Sequence, residues 1–105
     1  MRCGCYLVNG NEPVAGIVID NKGVYIEDRK EKQIIDVDSK ECFNTLASLY
    51  SLKENWNKEK CERPVFKILF EEALTTQVYS FNLNNLPKNW SAFLACVDRL
   101  VGDKM

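Results

Sequence analysis

One plan, strand, turn, strand, capped helix, is written twice along this chain, across residues 24 to 55 and again across residues 65 to 101. The first copy reads Val24-Tyr25-Ile26, a charged turn, Gln33-Ile34-Ile35-Asp36-Val37, then a helix opening at Asp38 or Ser39. The second reads Val65-Phe66-Lys67-Ile68-Leu69-Phe70, a turn, Gln77-Val78-Tyr79-Ser80-Phe81, then a helix opening near Pro87. The copies share apolar spacing and capping with almost no residue identity, so the match is architectural.

The helical segments are amphipathic. Asp38, with Glu41 three residues on, has the form of a capping box. Cys42, Phe43, Leu46, Leu49, Tyr50 and Trp56 then recur at spacings of three and four, which predicts one buried stripe. Pro87 suits a first helical turn, Trp90, Phe93, Leu94, Val97, Leu100 and Val101 form a second stripe, and Gly102 is placed as a left-handed terminator. The stretch 55 to 64 loses the periodicity and ends at Pro64, which predicts the connecting loop.

Upstream, Cys5 to Val8 is a short strand, Asn9 to Pro13 a dense set of turn formers, and Gly16 to Ile19 a second strand. Gly23 is expected to supply the positive φ of a tight turn before Val24 to Glu27 returns antiparallel. Asp28-Arg29-Lys30-Glu31-Lys32 carries five successive charges and reads as a solvated hairpin tip. The simplest assembly is a single α+β domain over residues 1–105. It is a two-layer sandwich of about six mainly antiparallel strands with two helices on one face, in the order β-β-β-β-α-β-β-α.

That architecture has a functional consequence. If Ile35, Val37, Tyr79, Phe81 and Leu83 face the helices, the two-residue strand period puts Val18, Tyr25, Ile34 and Val78 on the other side. Such a face is either scattered apolar exposure, or covered by the N-terminal hairpin, or a surface for a partner. The partner-binding candidates are therefore Val18, Tyr25, Ile34 and Val78, with Arg29, Lys30 and Lys32 at the charged tip beside them.

Composition removes many alternatives. The 105 residues contain no histidine, which excludes Ser-His and Cys-His nucleophile systems and imidazole-bound zinc. The five glycines form neither a GxGxxG nor a GxxxxGK pattern, so nucleotide chemistry has no support. Asp36 with Asp38, and Glu71 with Glu72, are paired carboxylates of the kind a divalent-ion enzyme needs, but capping and a solvated turn account for them better. Fourteen basic residues against fifteen acidic ones leave a net charge of -1. Acids interleave the lysines and arginines around residues 27 to 32 and 53 to 63, and nucleic-acid binding is disfavoured.

Five cysteines make no obvious disulfide framework, and free thiols are expected. Cys3-Gly4-Cys5, with Cys61 as a third ligand, is the one weak motif for a soft metal or redox role; no cofactor is otherwise implied. Cys42 and Cys96 lie on or beside the helical stripes, where a cysteine acts as a small hydrophobe. Trp56 and Trp90 are in phase with the stripes and read as core anchors, with Trp56 also a candidate interface anchor. No apolar run approaches the roughly 20 residues that cross a bilayer, and Met1 to Cys5 is not followed by the apolar stretch of a signal peptide, so a cytoplasmic, membrane-independent location is expected.

The expectation is a small non-enzymatic protein-binding module, an inhibitor or adaptor, for which a phage or mobile-element anti-defence inhibitor of a host enzyme is one natural setting. Its partner is another protein, with self-association as a homodimer included. The rivals are a metal- or redox-linked protein using Cys3, Cys5 and Cys61, and a carboxylate-dependent metal-ion enzyme.

Overall fold

A computed structural model describes residues 1–10, 12–28, 31–56, 63–82 and 84–102. The β-branched and aromatic runs form six strands: β1 (Arg2–Asn9), β2 (Glu12–Asp20), β3 (Val24–Asp28), β4 (Glu31–Ile35), β5 (Phe66–Glu71) and β6 (Thr76–Phe81). Two helices, α1 (Ser39–Leu52) and α2 (Trp90–Val101), follow β4 and β6, with a short 3₁₀ turn Lys53–Asn55 after α1. The element order is the expected one.

Every strand pairing is antiparallel, in the spatial order β4-β3-β2-β1-β5-β6. The first four strands make the expected meander. The β5-β6 hairpin then adds to the free side of β1, so the two hairpins of the repeated plan flank a central β1-β2 pair. An N-terminal hairpin in the middle of the sheet cannot cover either face. That overturns one of the three readings of the second face.

Several local expectations are corrected. β1 and β2 are longer than predicted, because Pro13 sits inside β2 opposite Val8, where the pairing register shifts. A bulge tolerates the missing proline N–H. The turn before it is made at Gly10, whose φ of 65° is left-handed. Gly23 has no positive φ; its N–H and that of Lys22 donate to the Asp20 carboxylate at 2.9 and 2.7 Å, and this Asx turn closes the β2-β3 link instead. β4 ends at Ile35, and Asp36 and Val37 lead to the helix.

Asp38 caps α1, its carboxylate accepting from the Lys40 N–H at 2.7 Å. α2 begins at Trp90, three residues after Pro87, and Gly102 ends it in right-handed conformation (φ -58°), not as a left-handed terminator. Its N-cap residue, Asn89, uses its side chain elsewhere. Asn89 Oδ1 accepts from the Trp56 indole N–H at 2.6 Å, and Asn89 Nδ2 donates to the Leu52 carbonyl at 2.7 Å. One amide thus ties the end of α1 to the start of α2.

Both helices lie on the same side of the sheet. Cys42, Leu46 and Leu49 of α1 and Phe93, Leu100 and Val101 of α2 are buried with Cys3, Ile19, Val24, Ile35, Phe66, Ile68, Phe70, Tyr79 and Phe81 in one cluster. Trp56 stands at its aromatic centre, with ring centroids 5.3 to 5.9 Å from Phe70, Tyr79, Phe81 and Phe93. Its indole is 8% exposed, so it anchors the core and not an interface. Phe43 and Leu94, placed on the buried stripes by periodicity, are exposed. A helix resting on a flat sheet buries a narrower arc than the stripe its sequence carries. No helix among the described residues is long and apolar enough to cross a membrane.

Candidate functional site

The candidate site is the sheet face that the helices leave uncovered. Pairing register places one residue from every strand in a single row across it: Ile34, Tyr25, Val18, Gly4, Leu69 and Val78. Five of the six are apolar or aromatic, and the sixth is a glycine. A second row, two residues along, reads Lys32, Glu27, Gly16, Tyr6, Lys67 and Ser80. On the other side of the apolar row lie Asp20, Arg2, Glu71 and Thr76. The apolar row is thus bordered on both sides by rows that carry charge.

The four apolar candidates read from the sequence therefore do share a face, in adjacent or aligned positions. They are not equally available. Ile34 is 70% exposed and Val78 46%, Tyr25 is half-buried, and Val18 is 0% exposed. Val18 cannot touch a partner; it lies in register between Tyr25 and Gly4 and supports the surface from beneath. Lys32 is exposed and holds its ammonium 4.5 Å from the Tyr25 ring centroid. Arg29 and Lys30 lie outside the described residues.

Tyr6 was not among the predicted residues, and it shapes the face most. Its ring lies flat across two glycines: a Cβ on Gly4 would come within 2.6 Å of Tyr6 Cε2, and a Cβ on Gly16 within 2.3 Å of Tyr6 Cδ1. Glycine inside a strand weakens it unless something must approach the backbone closely, and here an aromatic ring does. Burial, reinforced by Glu27, pushes the Tyr6 hydroxyl pKa up, so the phenol stays neutral. Beside it Tyr6, Val8, Pro13, Lys67, Leu69 and Val78 line a shallow depression of about 210 Å³. Leu69, Glu27 and Lys67 complete the set that sequence reading passed over. The alternation Gly4, Tyr6, Val8 in β1 and Lys67, Leu69, Glu71 in β5 was the available signal.

The rival sites come apart in the structure. Cys3 and Cys5 point to the helix side, opposite Ile19 with Phe70 and Ile17 with Ile68 respectively. Desolvation pushes the Cys5 thiol up to about 11 and Cys3 up as well, with Cys5 adding to the second shift. Such thiols are poor sources of the thiolate that metals and electrophiles need. Cys61 lies outside the described residues, and among the described residues no three histidine, cysteine or acidic side chains gather. Of the carboxylates, Asp38 caps α1. Glu71 faces Arg2 at 3.8 Å in a half-exposed ion pair, while Glu72 is exposed in the hairpin turn.

No family model, curated protein or solved structure matches this chain.

Proposed function

We propose that this chain is a non-enzymatic module that works by binding protein through the uncovered sheet face. The observation that carries the reading is the six-strand apolar row, ending in the exposed side chains of Ile34 and Val78. A monomer has no folding reason to keep both ends of such a row apolar, since polar residues there would leave the core untouched. The absence of histidine and the structural roles found for Asp38 and Glu71 support a binding role over a catalytic one.

The test is affinity capture from the native host with three baits: wild type, Ile34→Glu/Val78→Glu, and Leu74→Glu. Leu74, at the tip of the β5-β6 hairpin, is 97% exposed and serves as the control for any apolar-to-acid change. A protein held by wild type and by Leu74→Glu, but lost from the face variant, supports the reading. Retention of the same proteins by the face variant overturns it.

A further inference from the structure

We infer that the uncovered face is built to take a second copy of this chain across a two-fold axis. This inference rests on the face being a protein-binding surface and names its occupant. The sheet has three strands on each side of its midline, β4, β3 and β2 on one and β1, β5 and β6 on the other. A two-fold axis lying in the interface, along the strands and between β1 and β2, brings β4 of one copy over β6 of the other, β3 over β5 and β2 over β1. Residues of one row then meet residues of the same row.

The chemistry of the rows suits that exchange. In the apolar row Ile34 meets the second copy's Val78 and Tyr25 meets its Leu69, with Val18 and Gly4 buried at the middle of the row. In the next row Glu27 meets Lys67, and in the third Asp20 meets Arg2, so opposite charges face each other twice over by symmetry. Shape follows the same rule. The depression beside Tyr6, Leu69 and Val78 lies opposite the exposed Ile34 and the half-buried Tyr25 of the other copy. Glu27 and Lys67 are both half-buried, and neither has an ion-pair partner among the described residues. They are three strand spacings apart within one copy, about 14 Å, too far to pair with each other. Face-to-face sheets cross at about 30°, which displaces β3 and β5 by roughly one residue, a distance that lysine and glutamate side chains span.

The experiment is a charge exchange read by mass in solution. Wild type is expected at twice the 12.1 kDa chain mass in sedimentation or light scattering. Glu27→Lys alone sets two lysines against each other at this contact, Lys67→Glu alone sets two glutamates against each other, and each variant is expected to run as a single chain. Mixed in equal amounts, the two variants form both opposite-charge pairs and the double mass returns. Circular dichroism checks that each variant is folded; should either fail, Ile34→Glu in place of the charge variants is expected to halve the mass. Wild type that stays a single chain at concentrations up to about 200 μM, where contacts worth about 5 kcal/mol become visible, overturns the inference. So do single variants that dimerise like wild type, or a mixture that stays monomeric. If the wild type is monomeric yet still captures another protein in a manner dependent on Ile34 and Val78, the second-copy inference falls and the binding role stands. If neither association is seen, both fall.

Discussion

Gly4→Ala tests how the face is built, because the three atoms nearest the added methyl all belong to one side chain. The new Cβ would lie 2.6 Å from Tyr6 Cε2, 3.0 Å from its hydroxyl oxygen and 3.1 Å from Cζ. Carbon contacts settle at about 3.5 to 4.0 Å, so the ring must lift by about 1 Å or swing away. Lifting it returns on the order of 50 Å² of apolar surface to water, at about 25 cal/mol per Å² a loss of about 1.3 kcal/mol. Against this, alanine restricts the unfolded chain and stabilises by about 0.4–1 kcal/mol where the backbone permits it, as it does here, since Gly4 has no positive φ. The single variant is therefore destabilised by about 0.5 kcal/mol, a modest change that alone would decide little. The double-mutant cycle decides more. In a Tyr6→Ala background the clash is gone, and Gly4→Ala should become stabilising by about 0.4–1 kcal/mol, a coupling of about 1.3 kcal/mol between the two sites. Urea midpoints of the four proteins give that coupling. A value below about 0.3 kcal/mol, within the scatter of independent sites, would refute the claim that Tyr6 lies on Gly4.

Three further outcomes follow from the structure. Asn89→Ala removes both hydrogen bonds that join Trp56 and Leu52 to the start of α2, and should cost about 2 kcal/mol, with Asn89→Asp, which keeps the acceptor for the indole, intermediate in thermal melting. Asp38→Ala removes the α1 cap and should cost about 1 kcal/mol, a fall in Tm of about 4–8 °C for a chain of this size. Because burial raises the Cys5 thiol from 9.0 to about 11, the folded state keeps a proton that the unfolded state releases. That contribution is complete below pH 9 and is lost as pH rises toward about 11, so the urea midpoint should decline over that window, and less steeply in Cys5→Ala.

Much of this was legible in the sequence where one physical rule dominated. Strand alternation put Tyr25, Ile34 and Val78 on one face, and the capping residue Asp38 marked the start of α1, because both are local effects. Strand order was not legible: nothing in residues 65 to 71 says that β5 pairs with β1 and not with β4. That pairing is what aligns Leu69 and Val78 with Ile34 and makes one row of two half-rows. The burial of Val18 was missed because alternation fixes the face of a side chain and not its cover, as was the approach of the Tyr6 ring to Gly4 on its own strand and to Gly16 on the next. Gly4 and Gly16, two glycines inside strands that flank an aromatic, were the clue to that contact. Phe43 and Leu94 show the limit of helical periodicity, which counts apolar residues on a stripe but not the width of the surface that receives it.

The most direct measurement compares two variants for association and melting side by side. Ile34→Glu/Val78→Glu charges the ends of the apolar row, and Phe43→Glu/Leu94→Glu charges exposed apolar residues on the helix side. Surface changes of either kind should move stability little. Association should vanish in the first variant, with melting within a few degrees of wild type, and persist in the second. Association unchanged in the first variant, or a first variant that no longer folds, would contradict the assignment of the uncovered face as the binding surface.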